Sequence, residues 1–298
     1  MKNKIFFIAE ISSNHCGDLN IAKRLIKCAK LNGADAVKLQ TFTPDSMTLK
    51  SNKKYFKIQK GLWKGYNLWE LYNLAQTPLK WHKELFRYAK SLKIKIFSSP
   101  FNDAAVDFLE KLNCPMYKIA SFEMTDLNLI KKVSKTKKPI IISTGMANLE
   151  EIKHAVEILR KNNCEPKVLH CISAYPTPFN EANLSAIETI RKITGCEVGW
   201  SDHTVNSGVI HRAVHKWDAK IIEFHLDLDG KGEEFGPGHC WLPDKIREVI
   251  KQIREAEEMD GNGVKKPVPS ELSDREWRTD PSDGLRPFKL IRKTFSTK

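Results

Sequence analysis

The chain has 298 residues, 41% of them hydrophobic, so it can bury a large core, and the length suits two modest domains or one α/β barrel. No stretch of about 18 apolar residues occurs, which argues against a membrane-spanning helix, and Met1–Lys4 runs into the apolar Ile5–Ile8 without a signal-peptide core, so a cytoplasmic location is expected. The net charge of +13 comes from lysines scattered through every predicted helix, with no arginine-rich or aromatic-interleaved tract; this argues for a solvated basic surface and against nucleic-acid binding, although a basic field helps capture a phosphorylated substrate.

Short β-branched or apolar runs recur along the chain, each followed by a segment of helical period, the pattern of strands alternating with helices around a parallel sheet. The first run is Ile5–Ile11, after which Asp18 caps a helix over Leu19–Leu31 that Asn32 and Gly33 end. The second run is Ala36–Gln40. About forty residues then precede a helix near Pro78, and a connection of that size is a lid or a binding element. Its Trp63, Tyr66, Trp69 and Tyr72 either pack it down or cover a ligand, with packing expected for most of them. Further runs follow at Ile94–Ser98, Met116–Ala120 and Pro139–Ser143, and Asn148 caps Leu149–Leu159. Lys167–Ile172, Glu197–Ser201 and Lys220–His225 complete eight runs, before a last helix over Asp244–Met259.

Eight strand-helix units predict a closed (β/α)8 barrel, a TIM barrel, over residues 1–260. A doubly wound open sheet is the alternative, but the first turn, Asn14-His15-Cys16-Gly17, is not the glycine-rich phosphate loop such a sheet would carry. Residues 261–298 are polar and proline-containing, an irregular C-terminal tail expected to pack on the barrel or on a partner subunit. The seven cysteines form no C-x-x-C pair and are expected to be reduced thiols.

An α/β barrel places its site at the C-terminal ends of its strands. There the sequence gathers Glu10, Lys38 and Gln40, Ser98 and Ser99, Lys118 with Ser121 and Glu123, Ser143 and Thr144, His170 with Ser173 and Tyr175, Ser201 with Asp202 and His203, and Glu223 with His225. Lys38 and Lys118 among hydroxyls make an anion site, unless each pairs with a carboxylate such as Glu10. His203 and His225 end adjacent strands, within reach of one divalent ion. Histidines at strand ends are often structural, so the metal reading leans on the anion-binding groups around them.

These residues resemble the N-acetylneuraminate synthase family, which includes the bacterial sialic, legionaminic and pseudaminic acid synthases. The matching segments are Ala9-Glu10-Ile11 with Asn14-His15, Val37-Lys38-Leu39-Gln40, Phe97-Ser98-Ser99-Pro100-Phe101, Tyr117 to Glu123, Ser143-Thr144-Gly145-Met146, His170-Cys171 with Tyr175-Pro176-Thr177-Pro178, Gly199 to Thr204, and Ile222-Glu223 with His225. The resemblance implies condensation of phosphoenolpyruvate with a sugar aldehyde, N-acetylmannosamine-like or another aldose. It implies phosphoenolpyruvate binding at Lys38, Ser99, Lys118, Ser121, Ser173, Ser201 and His203, with Gln40 and Tyr175 facing the sugar and Glu123 catalytic. It further implies a divalent ion on His203 and His225, Mn2+ first and Mg2+ or Co2+ as alternatives, and a homodimer.

Three departures from the family stand out. Most members continue into an antifreeze-protein-like domain whose arginine reaches the sugar of the partner subunit; this chain is expected to lack it, leaving Arg278 or Arg286 as replacements. Where the family commonly has Gly-Pro-Asp-His, the chain has Gly236-Pro237-Gly238-His239, after an inserted stretch containing Asp227, Asp229, Glu233 and Glu234, one of which is a candidate to take over. Cys16 stands where some relatives carry glutamate or asparagine, and His239 and Cys240 are further conceivable ligands, although a thiolate favours softer ions. Two other readings stay open: a Schiff-base keto-acid aldolase using Lys118, and a non-catalytic carbohydrate- or anion-binding barrel, against which the retention of Lys38, Lys118, Glu123, His203 and His225 weighs.

Overall fold

A computed structural model of the chain describes residues 5–59, 63–234 and 236–295. Met1–Lys4, on which the targeting argument drew, lies outside them. The strands are β1 (Phe6–Glu10), β2 (Ala36–Thr41), β3 (Lys95–Pro100), β4 (Tyr117–Ile119), β5 (Ile140–Ser143), β6 (Lys167–Cys171), β7 (Val198–Asp202) and β8 (Ile221–Leu226). Each pairs in parallel with the next, and β1 pairs with β8 from Phe6↔Ile221 to Glu10↔His225, which closes the (β/α)8 barrel. A ninth strand, β9 (Cys240–Trp241), extends the sheet from the end of β8 and was not expected from the sequence.

The strands read as nearly continuous apolar runs because helices cover one face and the barrel interior the other; β5, Ile-Ile-Ile-Ser, is buried throughout. The helix Leu19–Leu31 buries Ala22, Leu25, Ile26 and Ala29, one face at helical spacing, and the Asp18 side chain accepts from the Asn20 N–H. Asn148 and Glu151 form a capping box at the start of Leu149–Lys161. The long connection after β2 has structure of its own, with helices at Pro44–Met47 and Leu68–Ala75 and a 3-10 turn at Lys54–Phe56.

Two compact units divide the chain, Met1–Glu255 and Ala256–Lys298. The second carries 3-10 turns at Pro269–Glu271 and Ser273–Trp277 and a helix at Lys289–Phe295, with an Arg292–Asp283 ion pair at 2.6 Å. Among the described residues no helix is long and apolar enough to cross a membrane, and all seven cysteines are free.

Register builds the floor of the site. Side chains alternate between the two faces of a strand, so partners in register share a face. Lys38 therefore lies beside Glu10, Glu10 beside His225, Gln40 beside Ser99, and Cys171 beside Ser201 and then Glu223.

Candidate active site

Two lysines and two glutamates occupy the floor, all at most 4% exposed. Lys38 is ion-paired with Glu10 and lies 3.6 Å from Glu223, while Lys118 lies 3.2 Å from the same Glu223 oxygen. Burial opposes the charge on Lys38, but Glu10 and Glu223 outweigh it and push the ammonium up to about 12. Burial dominates at Lys118 and lowers it despite Glu223. Glu223, against the effect of its own burial, is held down to about 2 by Lys118 and Lys38. The pairing that the sequence left as the alternative to an anion site is thus present: Lys38 pairs with Glu10, and Glu223 joins both lysines.

Hydroxyls and one further carboxyl stand above this floor. Ser201 Oγ donates to Glu223 at 3.3 Å, and Gln40 Nε2 donates to Ser12 Oγ at 3.0 Å. The Ser121 hydroxyl accepts from the Gly145 N–H at 3.1 Å. A Cβ at Gly145 would sit 2.1 Å from Ser173 Oγ and 2.9 Å from Ser121 Oγ, so only glycine lets the two hydroxyls approach. Glu123 closes the 3-10 turn Ser121–Glu123. Its salt bridge with Lys118 does not form: Oε2 is buried without a hydrogen-bond partner, and burial raises the carboxyl to about 7. Ser99, Ser143, Ser173, Glu223 Oε2 and His239 Nδ1 are likewise buried without partners. Of these, all but Ser99 line a single cavity of about 590 Å³ that also holds Lys38, Lys118, Gln40, Ser121, Tyr175, Ser201, His203 and His225.

The imidazoles gather around Tyr175, whose ring centroid is 4.3 Å from that of His203, 5.0 Å from His239 and 6.2 Å from His225. His203 Nδ1 is 2.8 Å from the Ile172 carbonyl, and His225 Nδ1 is 2.8 Å from Glu234 Oε2. Glu234 is buried, yet His225 and His239 hold it well below the carboxylate range against that burial. Burial lowers His239 despite Glu234. His225, Glu234, His239 and Cys240 each bring a donor atom to within 4.8 Å of the others; the Cys240 thiol is pushed up by burial and accepts from Asn14 Nδ2 at 3.3 Å.

Several rim residues serve structure instead. Ser98 donates to the Leu39 carbonyl, Thr144 Oγ1 to the Leu169 carbonyl, and His170 Nε2 meets the Ala182 carbonyl with its ring against Trp200. Asp202 accepts from the indoles of Trp200 and Trp241 and from Thr204, which ties the turn carrying His203 to β9. At Gly238 φ is +90°, so an aspartate in this backbone would be strained. Two of the four aromatics in the connection after β2, Trp63 and Tyr72, line the cavity with Phe42, Ile58 and Leu71. Trp69 packs the connection itself, donating to Asp45 at 2.7 Å. Arg278 and Arg286 belong to the second unit, where Arg286 Nε donates to Thr279.

Sequence reasoning missed the part taken by Ser12, Ser13 and Glu234. Ser12 and Ser13 follow β1 directly, a rim position that could have flagged them; for Glu234 the sequence offered only membership of an acidic stretch.

The NeuB family model matches residues 25–265 of this chain. A pseudaminic acid synthase of Helicobacter pylori is 51% identical over 223 residues, 74% of this chain; the chain spans only 65% of that relative's length. An N,N'-diacetyllegionaminic acid synthase of Campylobacter jejuni is 38% identical over 274 residues, 90% of this chain and 81% of its own. The crystal structure of an N-acetylneuraminic acid synthetase from Leptospira borgpetersenii, in complex with citrate, superposes with a TM-score of 0.77 at 28% identity, covering 94% of this chain and 93% of that one. The family model spans most of the chain and the barrel superposes on a solved relative, and the chain belongs to the NeuB family.

Proposed function

We propose that the barrel condenses phosphoenolpyruvate with the open-chain aldehyde of an aldose, giving a 2-keto-3-deoxy sugar acid and phosphate. The observation that carries this reading is the set of unpartnered buried atoms, Ser143 Oγ, Ser173 Oγ, Glu123 Oε2 and Glu223 Oε2, around two buried lysines in one cavity. Buried polar groups are almost always satisfied, so a polar ligand is expected to complete them. Lys38 and Lys118 neutralise the phosphate and carboxylate, and Ser121, Ser173 and Ser201 donate to them; Ser99, buried without a partner but outside the cavity lining, is assigned to them on the family resemblance.

A divalent ion, Mn2+ before Mg2+ or Co2+, is assigned to His203 and His225. The residues fit it, because each ring has Nδ1 against an acceptor and keeps Nε2 as the lone-pair nitrogen. Such an ion, when bound, supplies Lewis acidity at the aldehyde oxygen. Gln40 and Tyr175 orient the sugar. The enol carbon of phosphoenolpyruvate bonds to the aldehyde carbon, water adds to the cationic centre this creates, and the C–O bond breaks so that phosphate leaves with its bridging oxygen. Ionised Glu123 stabilises that cation and takes the proton of the water. Arg278 or Arg286 is assigned to the sugar, and the assembly to a homodimer.

Relatives named for pseudaminic and legionaminic acids support a sugar-acid product without choosing the acceptor. Phosphate release from phosphoenolpyruvate with Mn2+, screened over N-acetylmannosamine, mannose, diacetamido-trideoxyhexoses and shorter aldoses, tests the reading; no release with any of them contradicts it. One observation favours a second reading, since the lowered ammonium of Lys118 suits an imine with a keto acid. Borohydride trapping with pyruvate would label Lys118 in that case, whereas the condensation predicts no label.

A further inference from the structure

The segment between β8 and β9 holds one carboxylate with unusually complete partners. Glu234 Oε1 accepts from the hydroxyls of Ser12 and Ser13, the latter at 3.1 Å. Its Oε2 faces His225 Nδ1 at 2.8 Å and His239 Nε2 at 3.6 Å, and its backbone N–H donates to Asn14 Oδ1 at 3.0 Å. An ionised carboxylate offers about four lone-pair sites; three take hydrogen bonds, from Ser12, Ser13 and His225, and His239 at 3.6 Å is a charge neighbour only. The four donor atoms that converge here make a poor ligand set as they stand, because most of the lone-pair sites of Glu234 are taken and the Cys240 sulfur is engaged by the Asn14 amide.

What Glu234 does instead follows from the direction of its hydrogen bonds. A carboxylate only accepts, so the proton in the His225 contact is on Nδ1 and the lone pair is on Nε2. His203 is fixed in the same tautomer by a different acceptor, the Ile172 carbonyl. The two rings stand 5.3 Å apart, centroid to centroid. We infer that Glu234 is a positioning residue, which holds His225 in the Nδ1-protonated tautomer so that a divalent cation meets Nε2 of both His203 and His225. The inference rests on the metal assignment made above. A carboxylate on the far nitrogen also makes a ligating imidazole more basic, which strengthens the bond to the cation. The anchors of Glu234, Ser12 to Asn14, follow β1, so the closure of β1 on β8 sets both the imidazole and its support.

The test is Mn2+ binding to the full chain without phosphoenolpyruvate or sugar, read from the electron paramagnetic resonance of the free ion. Glu234→Gln is expected to weaken binding about 10- to 100-fold, with far-UV circular dichroism unchanged. Saturated with Co2+, wild type and Glu234→Gln are expected to give the same ligand-field spectrum, because the ligands are the same. Equal Mn2+ affinity in the two proteins overturns the inference. So does a changed Co2+ spectrum, which would make Glu234 a ligand. Should Glu234→Gln fail to fold, the double variant Ser12→Ala/Ser13→Ala removes the anchors and is expected to lower affinity; unchanged affinity there overturns the inference too. A wild-type protein that binds no Mn2+ also overturns it, while the condensation itself is judged separately by phosphate release.

Discussion

At Glu123 two opposite demands meet, because the carboxyl is buried with one oxygen unpartnered and yet has to carry charge in the proposed chemistry. Burial raises it from 4.5 to about 7, so the folded protein keeps a proton that the unfolded chain releases over that interval. The sign follows: ionised Glu123 lowers stability above pH 7, and the effect vanishes below the unfolded value. Glu123→Gln is therefore expected to melt higher than wild type at pH 8, by at most about 3 kcal/mol, with the gain fading towards pH 4.5. Activity should move the other way. Wild-type kcat/KM is expected to fall as pH drops through about 7, and Glu123→Gln to lose about 100- to 10,000-fold at pH 8 and the pH limb with it; a variant that kept wild-type turnover would remove Glu123 from the reaction. The sequence made Lys38, Lys118, Glu123, His203 and His225 legible because each lies within, at the end of or a few residues beyond an apolar run, where a charged or imidazole side chain stands out. It did not reveal that Glu223 pairs with both lysines, nor that Ser12 meets Glu234 across 222 residues, since such contacts exist only once the barrel has closed.

Connections between elements carry what distinguishes this barrel. After β5, Gly145 lets Ser121 and Ser173 crowd together, and Gly145→Ala would put a methyl 2.1 Å from the Ser173 hydroxyl. The side chains have to move apart, so the KM for phosphoenolpyruvate is expected to rise about tenfold or more, the worth of a hydrogen bond to a charged group, with the melting temperature nearly kept. An unchanged KM would show that these hydroxyls do not touch the substrate. After β2, the connection expected to be a lid or a binding element does reach the cavity, through Trp63 and Tyr72, while Trp69 packs the connection itself. All eight runs of the sequence became strands to within two residues of the positions read from it, because apolar runs between turn residues carry a strong period. β9 was not legible: two residues are too few for any pattern, and pairing with His225 and Leu226 alone defines it. Gly238 was recognised as a departure, but its positive φ belongs to the folded loop.

For the molecule as a whole, closure of β1 on β8 unites the anion floor with the histidines, since Glu10 pairs with Lys38 on one side and with His225 on the other. Among the described residues the buried charged side chains are Lys38 and Lys118 against Glu10, Asp202, Glu223, Asp227 and Glu234, so the positive excess is not in the core, and a net charge of +13 can draw in an anionic substrate without fixing which one. The reaction assigned to the barrel is C–C bond formation with C–O cleavage of phosphoenolpyruvate. It is tested most directly with phosphoenolpyruvate carrying 18O in the bridging position, incubated with the full chain, Mn2+ and each aldose. The account predicts aldose-dependent release of phosphate that retains the label; label left in the three-carbon or sugar-acid product, or no release with any aldose, would contradict it.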